Sequence, residues 1–124
     1  MNERNKLLTY LRLAAVAQQR AKWYQRDKFL VLVAREAARQ DRWELAEACR
    51  NKIIAHNPGH MLVEFDTMMK ALSSENLKTY LRRLDREWPL EKAEIVLSHP
   101  QVRDTPAVTE NEEHVVSQIL QMPA

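Results

Sequence analysis

The chain has one glycine and one cysteine in 124 residues, and each shortage removes a class of chemistry. Dinucleotide-binding and nucleotide-phosphate loops need two or more glycines where the backbone approaches the phosphates, so a lone Gly59 excludes both. It also excludes the glycine-flanked serine elbow of the α/β-hydrolases. Cys49 has no partner for an internal disulfide, so nothing points to an oxidising compartment. No apolar run approaches the ~20 residues of a membrane-spanning helix. The opening stretch, Met1 to Lys6, leads into an amphipathic segment containing Arg12, unlike a signal peptide. The expectation is one soluble, cytoplasmic domain with no membrane partner.

What is present is helix-forming. Ala, Leu, Arg, Glu, Gln and Lys dominate, and strand-punctuating turns are nearly absent. Residues 3–22 place Leu7, Leu8, Leu11, Ala14, Ala15 and Gln18 along one stripe. In 27–40 the apolar run Phe29 to Ala34 passes for a strand in isolation, but its alanine-rich continuation predicts a helix buried on more than one side. Asp41 with Glu44 reads as a capping box for a third helix over about 42–56. Asn57-Pro58-Gly59 breaks the chain. A fourth helix is predicted through Met61, Leu62, Phe65, Met68, Met69 and Leu72. Ser73-Ser74 caps a fifth, with Leu77, Tyr80, Leu81, Leu84 and Trp88 in its stripe, and Pro89 opens a sixth. Residues 98–108 read as a linker, and Thr109 with Glu112 opens a last helix carrying Val115, Val116, Ile119 and Leu120. The expected organisation is therefore a helical-hairpin domain over 1–97, a linker over 98–108, and a capping or docking helix of the same domain over 109–124.

Within 27–60, Ala34, Ala46, Ile53 and Pro58 follow one another at spacings of 12, 7 and 5, with Trp43 three residues before Ala46. This pattern resembles a tetratricopeptide repeat, a helix-turn-helix unit of about 34 residues. Small side chains let its two helices approach, and the proline ends the second. Ala37, Arg50 and Ile53 depart from the pattern, and the next unit, 61–94, has Met68 and Tyr80 where small residues are preferred. The resemblance implies an all-α fold of stacked antiparallel helical hairpins, a short α-solenoid of about six to seven helices. It also implies a partner groove. One side would carry Lys28, Val31, Arg35, Ala38 and Arg39, and the other Leu62, Phe65, Met69 and Leu72.

Charge favours the same side of the chain. Residues 1–60 hold 12 Lys/Arg against 6 Asp/Glu, and residues 61–124 hold 7 against 11. Arg35 and Arg39 lie one helical turn apart and suit a partner's carboxylates. Catalysis finds less support. His56 and His60 flank Pro58-Gly59 and so share no continuous helix, and a Cys49–His56–His60 metal site lacks an evident fourth ligand. Cys49 reads as a small buried hydrophobe, and Glu110, Glu112 and Glu113 as first-turn helix acids. The expectation is a non-catalytic adaptor or scaffold, without metal or cofactor, that binds a protein or peptide segment of acidic character. The C-terminal helix is expected to cover or border the groove, or to self-associate. Two alternatives stand beside this reading. One is nucleic-acid binding by 20–39, where Arg20, Lys22, Arg26 and Lys28 interleave with Trp23 and Tyr24. The other is a dimerising helix bundle.

Overall fold

The apolar run from Phe29 to Ala34 lies in the middle of a helix, and every residue from Phe29 to Ala37 is buried. The computed structural model describes residues 3–109 and 111–120. In chain order the helices are α1 (Glu3–Gln19), α2 (Trp23–Arg39), α3 (Trp43–His56), α4 (Met68–Leu72), α5 (Glu75–Glu87), α6 (Leu90–Ser98), α7 (Pro106–Thr109) and α8 (Glu112–Leu120). A 3-10 turn, Met61–Glu64, precedes α4. The fold is all-α, with no strand among the described residues.

The centre is α2. It packs chiefly on α1 and α3, and α4 and α5 lie against its remaining sides. That explains why its apolar stripe widens into a continuous run: an all-round hydrophobic helix belongs inside. Ala34 and Ala46 are both fully buried, as close helix approach requires.

The first two corners share one geometry that the sequence hides. At the end of α1, Ala21 takes φ 56°. Lys22 N–H bonds Ala17 C=O at 2.8 Å and Ala21 N–H bonds Gln18 C=O at 3.0 Å. Twenty residues later Asp41 takes φ 57°. There Arg42 N–H bonds Ala37 C=O at 2.8 Å and Asp41 N–H bonds Ala38 C=O at 3.0 Å. Both are left-handed helix stops of the six-to-one and five-to-two type, and each is followed by a cation and then a tryptophan. Asp41 therefore ends α2 and does not cap α3; the position before α3 is Arg42, which makes no side-chain cap.

Glycine would suit both corners, yet the only glycine stands elsewhere. Gly59 has no positive φ, and a Cβ there would meet only Asn57 Oδ1 at 3.5 Å. Two opposite outcomes follow. Ala21→Gly is expected to raise stability by about 1 kcal/mol, because it relieves a left-handed alanine. Gly59→Ala is expected to be neutral or to stabilise by up to about 1 kcal/mol through the unfolded chain. Thermal denaturation of the two variants tests both; a loss of stability in Ala21→Gly would refute the corner assignment.

The predicted fourth helix is divided. Phe65 (φ −115°, ψ 140°) ends the 3-10 turn, and Thr67 Oγ1 accepts from Lys70 N–H at 3.1 Å to cap α4. Side chains of α3 stabilise this break: Arg50 donates to Phe65 C=O, and Glu47 accepts from Met68 N–H at 2.5 Å. Arg50, a departure from the repeat pattern, thus satisfies backbone that a continuous helix would have paired itself.

Farther along, Ser74 Oγ accepts from Asn76 N–H and Leu77 N–H, as its position predicts. Thr109 instead closes the single turn α7, and Asn111 Oδ1 accepts from His114 N–H at 3.0 Å in the first turn of α8. The 98–108 stretch adds Val102 and Ala107 to the core. Helix α8 packs on α1 and α3 through buried Val115 and Ile119. Gln18 Nε2 donates to Gln118 C=O at 3.0 Å, and Arg42 pairs with Glu112.

Candidate functional site

Helices α2 and α5 meet along a seam of charge pairs that ends in an open cleft. At one end Lys28 Nζ donates to Glu87 Oε1 at 2.9 Å, and the Phe29 and Trp88 rings meet edge to face at 4.8 Å. Behind them the Tyr10 hydroxyl donates to Trp88 C=O at 2.8 Å, and burial raises its pKa. Farther along, Arg35 Nη1 donates to Asp85 Oδ2 at 2.7 Å. Beyond that pair the helices part around a cleft of about 430 Å³. Its apolar lining is Ala38, Trp43, Leu72 and Leu81, and its charged lining is Arg35, Arg39, Lys78, Arg82 and Asp85.

A buried carboxylate fixes one wall. Glu36 is fully buried, and its Oε2 accepts from Arg35 Nε at 3.0 Å and from Arg39 Nη1 at 3.0 Å. Burial opposes the Arg35 charge, but hydrogen bonding and charge from Asp85, together with Glu36, outweigh it and raise the pKa. On the facing wall Arg82 Nη2 bonds Thr79 Oγ1 at 3.1 Å, and no carboxylate lies within ion-pair distance of Arg82 among the described residues. Lys78 reaches Glu75 only at 3.7 Å, on the exposed surface. The carboxylates of the seam are used up before the cations are.

The structure gathers part of the residue set that the sequence nominated. Arg35, Ala38, Arg39 and Leu72 line the cleft, whereas Lys28 is held by Glu87 at the other end of the seam. Val31 and Leu62 are fully buried in the core. Phe65 is partly buried and tied through its carbonyl to Arg50; Met69 is exposed and lies outside the lining. Extended backbone at Phe65 and Thr67 separates Leu62 from Met69 and Leu72, so the predicted apolar stripe does not run on. Trp43, Lys78, Leu81, Arg82 and Asp85 were not anticipated. A signal for three of them exists: Lys78, Arg82 and Asp85 recur at four and three residues, one face of α5. No residue of α8 lines the cleft; its buried Val115 and Ile119 pack on α1 and α3, while Val116 and Leu120 share a neighbouring cleft with Trp43, so α8 borders the site without lining it.

The other candidate chemistries have structural occupations. Cys49 is fully buried and its thiol is pushed up to about 12 by burial. His56 Nδ1 is 2.6 Å from Asp27 Oδ2, and His60 Nδ1 accepts from Leu62 N–H at 3.1 Å. No group of three metal-binding side chains occurs among the described residues. In the basic-aromatic segment Arg26 is fully buried on Asp27 and Gln18, and Lys28 is paired. Arg20, Lys22 and Tyr24 remain exposed, with Tyr24 edge-on to His56.

His60 gives the fold a pH dependence. Burial lowers its pKa below the ordinary 6.5, against a smaller pull from Asp27. A base that binds its proton less well folded than unfolded contributes stability above its unfolded pKa, and this is lost as pH falls. Protonation also removes the Nδ1 lone pair that caps the 3-10 turn. His60→Asn keeps an acceptor for Leu62 N–H, and its stability is expected to change less between about pH 7 and pH 5. Urea denaturation across that range measures it; an unchanged slope would assign the acid sensitivity elsewhere.

No protein-family model, no curated protein and no solved structure matches the chain. No helix among the described residues is long and apolar enough to cross a membrane.

Proposed function

We propose that the chain is a non-catalytic protein-interaction module, an adaptor or scaffold of tetratricopeptide-like stacked hairpins acting in the cytoplasm. It docks an acidic protein segment in the α2–α5 cleft. The observation that carries the reading is the combination of an apolar floor with a surplus of cations at its rim. A large apolar side chain of the segment enters between Trp43, Leu72 and Leu81, and its carboxylates meet Arg39, Lys78 and Arg82. Apolar contact supplies affinity, and charge supplies orientation and discrimination.

The nucleic-acid alternative is weaker because Arg26, one of its four cations, is fully buried on Asp27 and Gln18 and presents no charge at the surface. A display library of random linear peptides, selected on the full chain and counter-selected on an Arg39→Glu/Arg82→Glu variant, tests the proposal. Recovered sequences should place Asp or Glu beside a large apolar residue. Recovery of no peptide specific to the unmodified cleft would end the reading.

A further inference from the structure

The lining of the cleft contains one carboxylate, Asp85, and it shares its arginine with a second carboxylate of a different kind. Arg35 spends Nε and Nη2 on Glu36, at 3.0 and 2.9 Å, and turns Nη1 to Asp85 at 2.7 Å. Those two carboxylates are unlike. The Glu36 side chain is 0% exposed and locked between two arginines, whereas that of Asp85 is 46% exposed and lines the cleft. Arg35 is the only polar partner of Asp85 among the described residues.

We propose that Asp85 is an internal ligand of the cleft: in the free protein it occupies the Arg35 guanidinium, and it gives way to a carboxylate of the docked segment. This rests on the docking reading above and adds what regulates it. The exchange is close to balanced. Released Asp85 is already half in water, so its rehydration is easy, and Arg35 keeps Glu36 as its fixed counter-charge. One charge-assisted hydrogen bond is broken and an equivalent one forms. A segment without a carboxylate at that point cannot displace Asp85, and an apolar side chain alone would leave the pair closed. Asp85 thereby raises the threshold for binding and selects for acidic partners, a device of discrimination by competition.

The test uses the full chain and a synthetic peptide with two glutamates on each side of a leucine–phenylalanine pair, beside its glutamine counterpart. Asp85→Asn should bind the glutamate peptide about fivefold more tightly than the unmodified chain, the scale of one partly exposed charge pair. Glu75→Gln makes the same change of net charge beside Lys78 without touching Arg35, and should gain less. In Arg35→Gln the effect of Asp85→Asn should vanish. On titration of the unmodified chain with the glutamate peptide, the Asp85 carboxyl 13C resonance should move as the side chain is released.

An Asp85→Asn variant with unchanged or weaker affinity overturns the proposal while leaving the docking reading intact. Equal gains in Asp85→Asn and Glu75→Gln would overturn it too, since long-range charge would then explain both. Binding of neither peptide to any variant would remove this proposal; whether the docking reading falls with it is decided by the peptide selection.

Discussion

Asp27→Ala is expected to cost about 3–5 kcal/mol of folding stability, the cost of leaving a buried charge without its counter-ion. Arg26 has no exposed surface, and Asp27 is 3% exposed. Asp27 Oδ1 accepts from Arg26 Nε at 3.2 Å and Nη2 at 3.0 Å, and Oδ2 holds His56 Nδ1 at 2.6 Å. Both carboxylate oxygens are therefore in use. Removing them leaves the guanidinium with Gln18 Oε1 at 2.8 Å and the Trp23 ring, its centroid 5.3 Å away. Lys52 makes matters worse: burial and the Arg26 charge already lower its pKa, so removing the carboxylate leaves positive charge concentrated at this place in the core.

Against a typical total stability of about 5–15 kcal/mol, such a loss is a large fraction of the total, and near the lower end of that range it would unfold much of the population. Arg26→Met/Asp27→Leu removes both charges and should recover most of the loss, because apolar replacement of a whole buried pair is often neutral. Urea denaturation of the single and double variants measures the difference. A single variant within about 1 kcal/mol of the unmodified chain would show that the pair is more hydrated than its burial indicates.

Such buried charges mark where the sequence was legible and where it was not. The all-α class followed from composition and from apolar spacing, and α2 was identified as buried on several sides by its run from Phe29 to Ala34. Those signals depend on side-chain polarity alone. Arg26, Asp27, Arg35 and Glu36 carry the opposite polarity on the same helix, and periodicity assigns them to solvent; some of their partners are neighbours within α2, but Gln18, His56 and Asp85 are brought to them only by the packing of α1, α3 and α5. The corners at Ala21 and Asp41 were missed for a related reason. Left-handed stops are normally announced by glycine, and here alanine and aspartate take the conformation. The divided fourth helix depended on Glu47 and Arg50 of α3 reaching its backbone, a contact outside any local window. For the cleft, the α2 wall was readable because Arg35 and Arg39 are one turn apart. On α5 the spacing of Lys78, Arg82 and Asp85 marks a charged face, but that this face meets α2 is a matter of tertiary packing.

Glu36→Ala should destabilise by about 3 kcal/mol, at the lower end for a broken buried pair and less than Asp27→Ala. The difference lies in how each carboxylate is satisfied. Glu36 uses Oε2 for both arginines, and its Oε1 is buried with no hydrogen-bond partner. Part of its desolvation is therefore uncompensated in the folded state, and removing the group returns that part. Arg35 also keeps Asp85 at 2.7 Å, and Arg39, whose side chain is 46% exposed, can turn to water. Neither cation is stranded as Arg26 would be. The functional consequence should run in the other direction. Without Glu36 the two guanidiniums lose their common anchor, and Arg39 leaves the cleft wall for solvent, so affinity for the glutamate peptide should fall although the cleft has become more positive. Glu36→Gln retains the side-chain shape and one acceptor oxygen, so it should lose about half the stability and less affinity. Parallel denaturation and peptide titration of the two variants separate these effects. Tighter binding in Glu36→Ala would mean that net charge, and not the fixed placement of Arg39, governs the cleft.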